Sequence, residues 1–102
     1  MVIISRAVLR AFVLAHPDSA SALEEWYNHV RTVDWANGAA VRQSFRTADH
    51  VGNERFVFNI KGNRYRLIAS ISFSTRTVYI KFVGTHRQYD AIDATTVEFI
   101  RP

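Results

Sequence analysis

At 102 residues the chain falls in the range of one domain and should bury roughly 60 to 65% of the surface its unfolded form exposes, enough for one modest core. Apolar residues at 48% and charged residues at 22% exclude a disordered or membrane-embedded class, since no apolar stretch approaches the roughly 18 residues that a bilayer crossing needs. The net charge of +4 conceals an uneven distribution, and the absence of cysteine excludes disulfides, thiolate catalysis and cysteine zinc sites.

The start, Met1 to Leu9, contains Arg6 and lacks a sustained apolar segment or cleavage signal, so we read the protein as beginning at or near Met1 and as cytoplasmic. Val2 to Ile4 suits an opening strand, with Ser5 as a candidate N-cap. From Arg6 the period changes: Val8, Leu9, Phe12 and Val13 share one face of a helix that should end near His16. Pro17 breaks it and suits the first turn of the next. Leu23, Trp26, Tyr27 and Val30 then repeat at helical spacing, with Ser21 and Glu24 as a candidate capping box. The two apolar helix faces need a sheet to cover. Asp34 to Gly38 reads as a turn and Ala39 to Phe45 as a short third helix, followed by a polar loop over Thr47 to Asn53.

The second half reads as strands. Phe56, Phe58 and Ile60 alternate with Arg55, Val57 and Asn59. Gly62-Asn63 marks a hairpin, after which Tyr65, Leu67, Ala69 and Ile71 alternate with Arg64, Arg66, Ile68 and Ser70. Beyond a turn at Ser74 to Arg76, Val78, Ile80 and Phe82 alternate with Tyr79, Lys81 and Val83. An α+β fold follows, with a helical pair on an antiparallel meander, and we read residues 1–102 as one domain. Phe56, Phe58, Tyr65 and Phe82 are assigned to the core. The opposite face should display Arg55, Asn59, Arg64, Arg66 and Lys81. Val97 to Ile100 reads as a last short strand or a tail laid on the body.

Residues 1 to 50 balance five basic against five acidic side chains, whereas Arg55, Lys61, Arg64, Arg66, Arg76, Lys81 and Arg87 fall in a stretch without a single Asp or Glu. Such a field favours a polyanionic partner, although a solvated basic surface or an acidic protein partner fits the same composition. Dinucleotide, Walker, HExxH and EF-hand patterns are absent, the histidines are scattered, and Asp90 and Asp93 fit no standard cage, so neither a metal nor a cofactor is expected. The chemistry left is that of cations and neutral donors. An RNA strand is cut without metal when its own 2'-hydroxyl attacks the adjacent phosphorus, a base takes the proton, an acid protonates the leaving oxygen and cations hold the developing charge. His86, at a strand exit, suits proton transfer, and Tyr89 suits stacking on a base or orienting the phosphate. His86 is equally a candidate for a loop histidine bonded to Thr85 or Asp90. Arg64 and Arg66 are candidates for phosphate binding or for pairing with Asp49, Asp90 or Asp93.

The runs Asp49 to Ala69 and Val78 to Asp90, taken together, resemble the HigB branch of the RelE-like toxins, and the order of elements before them also fits. The resemblance implies a RelE/ParE-like fold, a helical pair on a curved antiparallel sheet. It also implies a type II toxin that cleaves translated messenger RNA on the ribosome. Its expected partners are the ribosome and mRNA, and a HigA-like antitoxin with a helix-turn-helix domain that links it indirectly to operator DNA. On that footing His86, Arg64, Arg66 and Lys81 are the catalytic candidates, with Arg55, Asn59, Lys61, Arg87 and Tyr89 contacting RNA. Secure equivalents of the glutamates that some relatives use do not appear in the basic stretch. Competing readings are a ParE-like toxin with another target, a noncatalytic nucleic-acid-binding module and a scaffold for an acidic protein.

Overall fold

The computed structural model describes residues 1–98. Its elements run β1 (Val2–Ile4), α1 (Arg6–Ala15), a 3-10 turn (Pro17–Ser19), α2 (Ala20–Thr32), α3 (Gly38–Ser44), β2 (Asp49–Gly52), β3 (Arg55–Ile60), β4 (Tyr65–Ser72), β5 (Thr77–Thr85) and α4 (His86–Asp90). The strands form one sheet in the order β1-β5-β4-β3-β2. The pairs β2–β3, β3–β4 and β4–β5 are antiparallel, and β1 pairs in parallel with β5, so the sheet is mixed rather than a pure meander. Among the described residues no helix is long and apolar enough to cross a membrane.

The helical pair forms as its periodicity predicts, with Val8, Leu9, Phe12, Leu23, Trp26 and Val30 buried. These residues meet the inner face of the sheet, where Phe56, Phe58, Leu67, Ala69, Ile71, Val78 and Ile80 belong to the same core. Trp26 packs edge-on against Phe58 with ring centroids 5.4 Å apart, a favoured aromatic geometry. The caps differ from expectation. Ser5 is left-handed (φ 82°) and its side chain makes no capping bond. Ser21 lies inside α2, which follows directly from the 3-10 turn, and buried Ser19 instead donates its hydroxyl to the His16 carbonyl at 2.7 Å. Asn37 begins α3 rather than completing a turn, its side chain accepting from the Ala40 amide at 3.0 Å.

Three further corrections bear on function. The expected loop over Thr47 to Asn53 contains β2, which pairs with β3 from Asp49 opposite Val57; its polar, glycine-containing sequence conceals the ladder. The alternation in β5 breaks at Lys81. Ile68 lies opposite Phe82 while Ala69 lies opposite Ile80, so Lys81 is the extra residue of a β-bulge. An inserted residue reverses the phase of a strand. Phe82, assigned to the core, therefore shares the outer face with Ile68 and Val57, and Val83 turns inward to pack against the core. Arg55, expected to be displayed on the outer face, is only 3% exposed. It is covered by the segment after α4: its guanidinium donates to the carbonyls of Ala94 and Val97 and to the Glu98 carboxylate. Val97 thus belongs to a tail laid on the body; Phe99 and Ile100, the rest of that expected run, lie outside the described residues.

Candidate nucleic-acid interface

The outer face is organised in rows set by strand register. Asn59, Arg66 and Gly84 form one row, Val57, Ile68 and Phe82 the next, and Arg55, Ser70 and Tyr79 a third. The middle row is apolar, with Val57 and Ile68 buried, so the cationic residues of this face do not form a continuous sheet of charge. They separate into groups, each meeting a carboxylate or the helix that follows β5.

The first group gathers where β5 passes into α4. Thr85 caps α4 through a reciprocal box: its hydroxyl accepts from the Gln88 amide at 3.1 Å, and the Gln88 side chain accepts from the Thr85 amide at 2.9 Å. A helix of only five residues has little stability of its own, so this cap and the packing beneath it hold the side chains α4 carries. Gly84 supplies the close fit. A Cβ there would lie 2.5 Å from the Phe82 ring and 2.8 Å from the Gln88 side-chain oxygen Oε1. The His86 amide also donates to the Arg64 carbonyl at 3.3 Å, tying α4 to the β3–β4 hairpin.

On this support Arg66 places its guanidinium 5.8 Å from the centre of the Tyr89 ring and donates to the Asn63 carbonyl at 2.8 Å. Tyr89 and His86 approach edge to face with centroids 6.5 Å apart. His86 Nδ1 lies 3.0 Å from Asp90 Oδ2, one helical turn on, while the imidazole remains half exposed. Arg87, on the same helix, is exposed. Asn59 joins through its register with Arg66. The structure thus brings together His86, Arg66 and Tyr89, with Asn59 opposite Arg66 on the neighbouring strand.

Lys61 and Arg64 go elsewhere. Both reach Asp18 at 3.3 Å, and Tyr65 donates its hydroxyl to the same carboxylate at 2.6 Å. The Tyr65 hydrogen bond is the main reason that the Asp18 carboxyl is held below its usual range, with Lys61 and Arg64 adding to it against the cost of desolvation. The same bond raises the Tyr65 phenol. None of the three aspartates proposed from sequence as partners of Arg64, Asp49, Asp90 and Asp93, is the one observed, because Asp18 sits on a turn remote in the chain. Lys81 and Arg55 form the third group, bridged by Glu98. Lys81 hydrogen bonding leads the effects that depress the Glu98 carboxyl.

Among the described residues, no three His, Asp or Glu side chains gather as metal ligands. Hollows of about 350 Å³ between α1 and α2 and about 590 Å³ beside His50 and Phe73 lie away from α4. The histidine–arginine–tyrosine group instead faces outward from an open sheet, an arrangement suited to an extended polymer.

Residues 19–92 match the family described as HigB toxin, RelE-like toxic component of a toxin–antitoxin system. The chain belongs to this family. It is 29% identical over 94 residues to the mRNA interferase HigB of Escherichia coli O6:H1 (strain CFT073), an alignment covering 90% of this chain and 91% of that protein. Over 42 residues it is 38% identical to the mRNA interferase toxin HigB of Escherichia coli K12 and to the mRNA interferase HigB of Shigella flexneri, covering 41% of this chain and 40% of each relative. As a RelE-like toxin of a toxin–antitoxin system, this HigB-family protein has a cognate antitoxin as partner.

Sequence reasoning missed Asp18 and Glu98 as the carboxylates that hold Lys61, Arg64, Arg55 and Lys81, and Gly84 and Phe82 as the support beneath α4. The contact of His86 with Asp90, named from sequence as one alternative for this histidine, is present, their spacing placing both on one side of a helix. The pairings of Asp18 and Glu98 have no such signature.

Proposed function

We propose that this toxin is a metal-independent endoribonuclease that cuts messenger RNA on the ribosome and so stops translation. The observation that carries the reading is the joining of His86, Arg66 and Tyr89 on an open face, with His86 oriented by Asp90. With Asp90 accepting from Nδ1–H, the imidazole presents the Nε2 lone pair as base. It takes the proton from a ribose 2'-hydroxyl, whose oxygen attacks the neighbouring phosphorus. The bond from phosphorus to the 5' oxygen breaks as that oxygen takes a proton from water or from the His86 imidazolium, and the products are a cyclic phosphate and a 5'-hydroxyl end. Arg66 stabilises the charge that builds on the phosphoryl oxygens, its planar fork matching two of them. Tyr89 stacks on a base or holds the phosphate, and Asn59 and Arg87 extend the contact.

Arg64 and Lys61 reach RNA phosphates from the hairpin end once their exposed contacts with Asp18 yield, and Lys81 acts further along the face. The ribosome supplies the bent presentation of the message that so small a protein need not build for itself. The names of the relatives, mRNA interferases, agree with this reading. By the same reasoning residues 1–102 are one toxin domain acting in the cytoplasm, and its antitoxin is a HigA-like protein whose helix-turn-helix domain connects the pair to operator DNA.

The reading is tested by inducing the wild type, Arg66→Ala and Tyr89→Ala in growing cells and sequencing RNA ends. The expected result is cuts within translated regions that both substitutions remove. Growth arrest without cuts would favour a ParE-like or purely binding toxin.

A further inference from the structure

Arg55 is almost fully buried, yet it stands outside the helix-packed core. One arm of its guanidinium, Nη1, donates to the carbonyls of Ala94 and Val97. The other, Nη2, donates to Glu98 Oε1 at 2.8 Å. The second carboxylate oxygen, Oε2, accepts from Lys81 Nζ at 2.9 Å. One carboxylate therefore spans a guanidinium and an ammonium, giving one oxygen to each. That is also how a phosphodiester, with a single charge shared between two non-bridging oxygens, would meet the same pair.

The two components of this contact differ in exposure. The Arg55 side chain is 4% exposed and that of Glu98 is 59% exposed. The segment bearing Glu98 is held independently of its carboxylate, by the Arg55 Nη1 contacts and by Asn53, whose side-chain amide donates to the Thr95 carbonyl at 2.9 Å. The Glu98 side chain can therefore swing into solvent while the backbone strap stays in place. Its departure uncovers two preset cations on the face that also carries Arg66. Tyr79, exposed and with its ring centre 5.9 Å from Lys81 Nζ, offers an adjoining base a surface to stack on.

We propose that Arg55 and Lys81 form a phosphate subsite for the RNA backbone that Glu98 occupies in the free protein, so that the C-terminal strap competes with the substrate. This rests on the RNA-directed reading above. The competition keeps the two cations paired, and thus less available to other polyanions, until a strand long enough to engage both this subsite and Arg66 displaces the carboxylate. Glu98 is a competitor in this account and takes no part in the bond-breaking step.

The test is fluorescence anisotropy of a labelled 2'-O-methyl oligoribonucleotide, which cannot be cleaved by 2'-oxygen attack, titrated at low salt with the full chain. The variants are Glu98→Gln, Glu98→Asp, Lys81→Ala, the Glu98→Gln/Lys81→Ala double variant, and Glu24→Gln as a matched change of net charge on α2. Glu98→Gln should bind about fivefold tighter, the release of a partly exposed ion pair. Glu24→Gln should change affinity much less, Lys81→Ala should weaken binding, and the gain from Glu98→Gln should shrink in the Lys81→Ala background. Glu98→Asp keeps the charge but shortens the reach, so it too should tighten binding; thermal melts identify any variant that fails to fold, and either Glu98 variant suffices. Affinity unchanged by both, or a gain no larger than that of Glu24→Gln or undiminished without Lys81, overturns the competition. If Lys81→Ala alone weakens binding, the RNA-directed reading stands without the competition. If the wild type and Glu98→Gln both fail to bind RNA at low salt, the subsite falls, while the ribosome-dependent reading stands or falls on end mapping in the presence of ribosomes.

Discussion

Replacing Gly84 by alanine probes the support beneath α4 with a single methyl group. The new Cβ would fall 2.5 Å from Phe82 Cζ, 3.0 Å from Phe82 Cε1 and 2.8 Å from Gln88 Oε1. Ordinary carbon contacts lie at about 3.5 to 4.0 Å, so a ring lodged over the sheet or the side chain that closes the α4 cap must move by about 1 Å. Gln88 Oε1 already accepts from the Thr85 amide at 2.9 Å, and displacing it opens the capping box. Overpacking of this kind costs about 1 to 3 kcal/mol, and a chain of this size loses roughly 5 °C of Tm per kcal/mol, so a fall of about 10 °C is expected. Calorimetry should be paired with hydrogen exchange of the α4 amides, which should speed up well below the melting transition. In a Phe82→Ala background much of the clash is gone, and the Tm penalty of Gly84→Ala should fall by at least half. A Tm within about 2 °C of the wild type, or the same penalty in both backgrounds, would refute this packing argument.

Arg66→Lys keeps the charge but loses the planar fork and the approach to Tyr89, so cleavage should fall on the order of a hundredfold, with little change in Tm; this is read from end-mapping rates. Arg55→Met leaves the Ala94 and Val97 carbonyls without their donor and should cost about 1 to 3 kcal/mol in urea unfolding, with faster exchange in residues 94–98. Asp18 has a folded carboxyl pKa below its unfolded value, so the stability it contributes is present above the unfolded pKa of about 4 and is lost as pH falls through the folded one. The difference in stability between the wild type and Asp18→Asn should therefore be largest near neutral pH and shrink in acid, as followed by urea unfolding from pH 7 down to about 2.

The parts of the fold that were legible were those written in local period. The helical repeat of Val8, Leu9 and Phe12, and that of Leu23, Trp26 and Val30, carries through to the buried faces of α1 and α2, and the alternation of β3 and β4 carries through to their pairing. The alternation of β5 was legible up to Ile80 and misleading after it, because a bulge is a property of two paired strands and the sequence of one strand does not announce it. Phe82 thus appeared as core and proved to be part of the outer face. At the site, the placement of His86 and Tyr89 at a strand exit, and of Arg66 on the opposite face from Tyr65, follows from the same local patterns. The partners that divide the basic residues into groups do not. Asp18 lies far from Lys61 and Arg64 in the chain, and Glu98 lies far from Arg55. Ion pairs of such separation depend on how the strap and the 3-10 turn are laid against the sheet.

Ribosome-dependent cleavage in which His86 acts directly can be followed by mapping the 5' ends of a translated message in a reconstituted translation system, with wild type and His86→Ala, each with and without ribosomes. New 5'-hydroxyl ends are expected when ribosomes and the wild type are both present, and their loss by roughly a hundredfold or more with His86→Ala, as follows when a positioned base is removed. Arrest of translation without new ends, or ends that appear undiminished with His86→Ala, would contradict this mechanism.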